Sequence, residues 1–472
     1  MDQMNCDVCV IGGGSGGIGA ALAAARHGLR VTLVERADRL GGNAVIGGVH
    51  NWEPGVGGTA YPREIYERLN ALGAAGVWSF GRHCCWPGGE DFPGGETVID
   101  PARGYNDTLR RYGSQGMHLD EEFCRRTWHG VVFEPDAYAK VVEDLLLKTS
   151  RCDILKGWSF TEAQRDGERL RSLRLVSNNG GDCRITARYF VDSTADARLC
   201  QAAGCEMMQG QEAAAEFGES AAPLKARPDD VNGVSLIYRV APAAQKAIEP
   251  FDAPIGDCPW QKHWPFAIIG RYPAGDLNIN MLPTMNGDEF LNIMRSPDGY
   301  GKAYELCTNR VMAHWHWMQN RYPEFQSFRL SWIAPSLGVR ETKRVRGKYV
   351  LTQHDLIAGL SGQTNANIVA IADHAMDSHG AESAGIAELR EPYGIPLGCL
   401  LPVSLDNVAV ACRGASFSHI AATSCRLSRT MMDLGHAAGI AIAAAALTDS
   451  PLHDADVSSV REALRRDGAS LG

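Results

Sequence analysis

The residues from Asp7 to Glu35 leave little freedom in local structure. Asp7 to Ile11 is short, apolar and rich in β-branched side chains, the pattern of a strand buried on both faces. Gly12, Gly14 and Gly17 then set out the G-x-G-x-x-G spacing, with Ser15 and Gly16 between them. Each glycine answers a different need: a sharp turn, room for backbone beside a pyrophosphate, and close packing of helix on strand. Ile18 to His27 is alanine-rich and reads as a helix whose first turn offers free N–H groups and a positive dipole end to a phosphate. Arg30 to Glu35 reads as the second strand. Glu35, followed by Arg36, stands where a carboxylate accepts hydrogen bonds from a ribose diol. Together these features predict a dinucleotide-binding unit.

Just past that acid lies a second glycine-rich stretch, with Gly41, Gly42, Asn43, Gly47, Gly48 and Val49, then His50. Backbone without Cβ atoms suits the edge of a wide, flat ring system. On these residues the chain resembles the FAD-dependent oxidoreductases of the glutathione-reductase-like superfold, in the branch with a Gly-Gly-x-x-x-x-Gly-Gly step and a C-terminal return to the flavin. The resemblance extends to three later stretches. Asp192-Ser193-Thr194-Ala195-Asp196 is similar to the Asp-Ala-Thr-Gly turn beneath the adenosine-pyrophosphate half of FAD, with Ser and Ala in place of Ala and Gly. Gly338-Val339-Arg340-Glu341-Thr342-Lys343-Arg344 resembles the family's Gly-Val-Arg-Glu-Ser-Arg-Arg stretch. Ser418, His419, Ala421, Ser424 and Arg426 follow its Ser-His-x-Ala-x-x-Ser-x-Arg order.

The resemblance implies an α/β fold: a Rossmann-like FAD-binding domain, its parallel sheet crossed over by a β-meander, discontinuous in sequence around an inserted α+β substrate domain. The expected divisions are 1–205 for the first part of the FAD domain, with a loop-rich lid at about 53–130. A substrate or cap domain follows over 206–338, then the return to the FAD domain over 339–450 and a C-terminal tail over 451–472. Non-covalent FAD is expected, because Asn43 stands where covalent relatives carry a histidine.

Composition bounds the remaining possibilities. A chain of 472 residues with 45% hydrophobic and 21% charged residues has the make-up of a folded globular protein of two or three domains. A formal charge of −9 opposes nucleic acid as a main partner. No apolar run of about 18 residues is free of polar interruption, so no membrane span is expected. The first strand begins too early for a signal peptide, and 14 Cys without a compact framework fit free thiols in a reducing cytoplasm. Cys6 and Cys9 lie on the first strand, and Cys84 and Cys85 are adjacent in a loop; neither pair reads as a redox site.

Helices are expected over Pro62–Leu72, Glu134–Lys148, Phe290–Arg310, Val311–Arg321 and Thr430–Leu447, and strands over Cys152–Leu155, Leu170–Val176, Arg184–Val191, Val234–Val240 and Leu277–Met281. Asn178 to Gly181 reads as a hairpin turn. His314 and His316 are two apart, the wrong spacing for one helical face, so packing rather than metal binding is expected of them.

The expected enzyme moves a hydride between a small polar substrate, at a C–OH, C–N or C–C bond, and flavin N5, with oxygen or an external acceptor taking the electrons. Two rivals remain: the reverse reduction of a C=C bond, and a flavin-binding protein linked to tRNA modification. His419 and His50 are the candidate proton carriers, the other roles open to them being flavin orientation and packing. Arg426 is the candidate charge stabiliser or substrate anchor. Arg340 and Arg344 are candidates to hold an anion, against the plainer reading of a solvated basic face. Expected FAD contacts are Gly12, Gly14, Ser15, Gly16, Gly17, Glu35, Arg36, Gly41, Gly42, Asn43, Gly47, Gly48, Val49, Thr194, Ala195, Asp196, Ser424 and Arg426. The partners expected are a small-molecule substrate and, at most, a second copy of the chain.

Overall fold

The first strand, Asp2–Ile11, lies at the centre of a parallel sheet because both its faces are apolar. It pairs with Val31–Glu35 on one side and Asp182–Asp192 on the other, and Cys152–Lys156 and Val408–Val410 complete the parallel run. The N-terminal half of Asp182–Asp192 pairs instead with Arg169–Ser177, which pairs with Trp158–Asp166. That antiparallel meander is the crossover expected from sequence. This is a computed structural model, and it describes residues 2–79, 98–99, 104–109, 129–251, 255–257, 267–281, 283–364, 366–380 and 385–472. Cys84, Cys85 and most of the expected lid lie outside the described residues.

Two helices cover one face of this sheet at very close range. A Cβ on Gly19 would stand 2.3 Å from the carbonyl oxygen of Met432, and one on Gly435 would stand 1.9 Å from that of Gly16. Helices Ser15–Arg26 and Ser428–Thr448 therefore meet backbone to backbone. Ser428–Thr448 is long and apolar enough to cross a membrane, but most of it is buried in this core.

A second apolar cluster forms on a four-stranded antiparallel sheet, in the order Ala267–Arg271, Leu277–Met281, Tyr238–Pro242, Phe328–Ile333. Helix Gly299–Arg321 lays Ala303, Cys307, Val311, Trp315 and Met318 against it. The helix pair expected to divide between Arg310 and Val311 divides earlier. One helix spans Gly287–Met294 and the next begins at Gly299, after Pro297, because proline disfavours helical backbone in the residue before it. His314 is wholly buried, with Nδ1 hydrogen-bonded to the Tyr238 hydroxyl at 2.7 Å. The strand expected over Val234–Val240 is two shorter ones, Val234–Ser235 and Tyr238–Pro242.

The C-terminal residues expected as a tail are packed. Helix Val457–Arg466 buries Val460, Ala463 and Leu464, and Asp467 accepts from His436 Nε2 at 3.0 Å.

Ala195 has φ +71°, a conformation that suits glycine, where the family turn has glycine. Ala195→Gly is therefore expected to stabilise the protein by about 0.5 kcal/mol, strain relief outweighing the added chain entropy. Denaturant midpoints test this, and a variant weaker than wild type by 1 kcal/mol or more would contradict it.

Candidate active site

Four separate pieces of chain converge at the carboxyl end of the parallel strands. A Cβ on Gly12 would stand 2.1 Å from the Ser193 carbonyl oxygen, one on Gly16 1.8 Å from that of Ala411, and one on Gly17 1.8 Å from that of Gly12. Gly41 N donates to Gly13 O at 2.7 Å, and a Cβ on Gly42 would approach Gly14 Cα to 3.0 Å. The glycine segments at 12–17 and 41–42 thus cross one another, with the 192–197 turn and the C-terminal return beside them.

Gly14 differs from its neighbours. Its backbone is extended, and a Cβ there would meet nothing within 4 Å. It caps the helix without a side-chain hydrogen bond, so the first-turn N–H groups lack a side-chain acceptor. This is a cradle that a side chain would fill, and it fits a pyrophosphate. Glu35 is buried, with its two carboxylate oxygens accepting from Gly13 N at 2.7 Å and Ala37 N at 2.8 Å. Arg36 is exposed beside it. In the Asp192 turn, Thr194 N and Oγ1 donate to Asp192, and Arg413 holds Asp196 at 2.7 Å.

The other candidates separate into committed and uncommitted groups. His50 is buried with both ring nitrogens engaged: Nε2 on the Val45 carbonyl at 3.0 Å, Nδ1 on the Tyr272 hydroxyl, which in turn accepts from Asn278 at 3.0 Å. Burial pushes His50 down to about 4, so it is neutral at pH 7 and has no nitrogen left for a substrate. Arg344 is fully buried and committed to Glu212 at 2.9 Å, Glu341 at 3.4 Å and the carbonyls of Gly210 and Phe417. It faces neither solvent nor the cradle. Ser424 is buried between the His374 carbonyl and the Tyr393 hydroxyl. Asn43 and Val49 are half-buried, the Val49 N–H donating to the Asn43 carbonyl, and Gly47 packs against Asn43. Gly48 packs on Ile237.

His419 is different. It opens helix His419–Cys425, which Ser418 caps by accepting from Ala421 N at 3.1 Å. Its Nδ1 lies 2.9 Å from Glu341, while its buried Nε2 has no partner among the described residues. Glu341 also accepts from Asn232 N at 3.0 Å and Asn232 Nδ2 at 2.7 Å. Burial would raise the Glu341 carboxyl, but His419, Arg344 and these donors override it and hold it down to about 2. An ionised Glu341 holds a proton of His419 on Nδ1, on the side of the ring away from Nε2.

Further residues that sequence reasoning did not single out gather nearby. His379 N donates to the Asn232 side-chain oxygen at 2.8 Å, and His379 Nε2 lies 2.8 Å from Asp377. Asp377 pairs with Arg426 at 3.2 Å. Glu341 adjoins Arg340 in the quoted motif and was the one legible hint; Asn232, Asp377 and His379 carry no local signature. The strand Gly338–Val339 that leads to Arg340 runs past Gly47, and Ser336 N donates to the Ile46 carbonyl at 3.1 Å. The second sheet's border therefore lies against the second glycine segment.

Beneath the 53–58 loop, Asp433 is buried and accepts from Gly58 N at 2.9 Å, with Arg429 and Tyr105 nearby. Burial pushes its carboxyl up to about 7, against the pull of Gly58 and Arg429. An acid whose pKa is raised on folding binds more protons when native, so its stability contribution is lost as pH rises from about 4 to 7. Asp433→Asn should remove that loss. Its stability gain over wild type should grow by about 2–4 kcal/mol between pH 4.5 and 8, and parallel melting curves at the two pH values would contradict this.

Among curated proteins, none matches this chain. Solved structures similar to it include a geranylgeranyl bacteriochlorophyll reductase-like protein from Thermoplasma acidophilum. That match has 12% identity, covers 98% of this chain and 83% of that one, and has a TM-score of 0.48. A myxobacterial chondrochloren halogenase is 13% identical over 98% and 79%, with a TM-score of 0.44. PqsL of P. aeruginosa is 15% identical over 98% and 93%, with a TM-score of 0.39. Residues 7–464 match the family described as FAD dependent oxidoreductase. With the paired glycine segments and the open cradle at Gly14, that match over nearly the whole length makes the chain a member of the FAD-dependent oxidoreductase family, with FAD as its cofactor.

Proposed function

We propose that this enzyme oxidises a small polar organic molecule at a C–OH, C–N or C–C bond, with oxygen or an external acceptor taking the electrons from the flavin. When bound, FAD supplies the two-electron step at N5. Gly14, Ser15 and the free N–H groups of the first helical turn would hold its pyrophosphate, and Glu35 its ribose. The crossing at Gly41 and Gly42 would carry backbone towards the ring system.

His419 takes the substrate proton at Nε2. Oxidation of a C–OH or C–NH group releases that proton as the C–H electron pair leaves, and a positioned acceptor lowers the barrier. Glu341 is the positioning residue: it orients the imidazole through Nδ1 and stabilises the cation formed when Nε2 is protonated. The observation that carries this reading is the buried Nε2 without a partner, on a histidine held from behind by an ionised carboxylate. An unpaired buried nitrogen is costly in a folded protein unless a ligand completes it. Anaerobic mixing of the yellow holoprotein with alcohols, amines, sugars and enoates tests the proposal. At least one oxidisable class should bleach the flavin; bleaching by none of them would overturn it.

A further inference from the structure

Arg340 is a largely enclosed cation with no carboxylate in direct contact among the described residues. Its Nη1 donates to the Gly233 carbonyl at 2.9 Å and to Ser235 Oγ at 3.0 Å. Among the described residues no carboxylate lies within 4 Å of it, and its remaining N–H groups make no hydrogen bond. The side chain is thus pinned by one nitrogen, with the rest of the fork presented.

What it faces follows from the hydrogen bonds around it. Gly233 N donates to the His379 carbonyl at 3.2 Å, so strand Met376–Ser378 and the residue after it are laced to the wall that bears Arg340. From that strand Asp377 reaches Arg426, which ends the helix begun by His419. Among the described residues Arg426 uses only Nη2, on the carboxylate and carbonyl of Asp377, and its buried Nε has no partner. Residues 419 and 426 are seven apart and share one helical face. Hydrogen bonds and ion pairs through Asn232, Asp377 and His379 therefore link Arg340, Arg426 and Glu341, the partner of the His419 imidazole, into one neighbourhood.

Burial would raise Asp377, but His379 and Arg426 hold it well below the usual carboxylate range, so it neutralises Arg426. Burial pushes His379 down to about 4, leaving it neutral at pH 7. His374 is paired with Glu53 at 3.0 Å. Burial and the like charge of Arg426 lower the pKa of Arg340 while the charges of Asp377 and Glu53 raise it, and the guanidinium remains protonated at working pH. Asp377 is the described carboxylate paired with Arg426, and among the described residues both arginines keep unused planar donors. A carboxylate matches those donors in fork geometry and, as a monoanion, places less negative charge beside Asp377 than a phosphate dianion would.

We infer that Arg340, with the free edge of Arg426, binds a carboxylate on the substrate, so that this oxidoreductase acts on an organic monocarboxylate. The inference rests on the proposed reading of this neighbourhood as the substrate site.

Binding of simple probes to the holoprotein tests it without turnover. Acetate, butyrate and benzoate are titrated against their neutral amides and against inorganic phosphate at constant ionic strength, with thermal shift and perturbation of the flavin spectrum as readouts. At least one carboxylate should bind saturably and about 10-fold or more tighter than its amide, the difference one lost charged hydrogen-bond pair makes. Arg340→Gln, which keeps a donor for Gly233 and Ser235, should abolish that preference while leaving amide binding unchanged. Equal binding of acid and amide, no saturable carboxylate binding, tighter binding of phosphate, or an unchanged preference in Arg340→Gln would each overturn the inference. The probe results and the bleaching results separate the two claims. Bleaching by a neutral alcohol or amine without carboxylate binding would defeat this inference and leave the oxidase reading standing. Carboxylate binding without bleaching by any substrate would do the reverse.

Discussion

Gly14→Ala is expected to give a folded protein that has lost its flavin. The two ends of the G-x-G-x-x-G turn answer to different demands. At Gly17 a Cβ would lie 1.8 Å from the Gly12 carbonyl oxygen, and at Gly12 one would lie 2.1 Å from that of Ser193, with φ at +102°. Those glycines are required by the protein itself, and Gly17→Ala should cost about 4 kcal/mol or more, because backbone rather than a flexible side chain must give way. At Gly14 the backbone is extended and the added methyl meets nothing. Ala suits that conformation, so the apoprotein should lose under about 1 kcal/mol, the scale of a poorer N-cap. Only a ligand lying against the turn makes a side chain intolerable there. Holoprotein yield in the visible flavin bands, FAD titration of the apoprotein and its melting temperature separate the cases. Gly14→Ala should weaken FAD by roughly 100-fold, about 2.7 kcal/mol, with near-normal melting of the apo form. Retention of wild-type affinity would remove the pyrophosphate from this turn, and collapse as severe as that of Gly17→Ala would show that the glycine serves the fold alone.

That contrast also marks what was legible in the sequence. The strand–turn–helix–strand unit could be read because periodicity, glycine spacing and the terminal acid are local and mutually reinforcing. The meander was legible in part: Leu170–Val176 and the Asn178–Gly181 turn were visible, but strand Trp158–Asp166 has most of its side chains exposed and gives little apolar signal. The long helices of the second unit are visible as helical pattern, but their break falls at Pro297 and not after Arg310, because the apolar periodicity runs on across the proline and masks it. The site was less legible than the fold. His50 and His419 look alike in sequence, each beside an expected flavin segment. Only packing distinguishes a histidine bonded on both nitrogens from one bonded on a single nitrogen. The same holds for Arg340 and Arg344, four residues apart, the first without a carboxylate partner among the described residues and the second ion-paired in the interior. Asp377 and His379 stand alone in sequence and acquire meaning only where Asn232 and Arg426 meet them.

His419→Asn should slow reduction of the flavin by substrate by about 10²–10⁴-fold, the range for loss of a positioned proton acceptor. Asparagine is chosen for its geometry. Its Nδ2 can replace the imidazole Nδ1 as the donor to Glu341, which lies 2.9 Å away. The charge cluster of Glu212, Glu341 and Arg344 behind it would thus keep its hydrogen bond. Leaving a buried carboxylate without its partner costs about 3–5 kcal/mol, and this substitution avoids that. What disappears is Nε2 alone. If the histidine only packs the helix start, the variant should reduce its flavin at close to the wild-type rate, and a change in melting temperature would be the whole effect. If Nε2 accepts the proton, the variant should bind FAD and melt near wild type while reduction falls steeply. Glu341→Gln gives the converse pattern. It leaves Nε2 in place but weakens its orientation and the stabilisation of the cation, so the rate should fall less than in His419→Asn while stability falls more. Stopped-flow reduction without air, read beside melting curves of the same two variants, distinguishes these outcomes. Wild-type rates in His419→Asn would remove the imidazole from the chemistry.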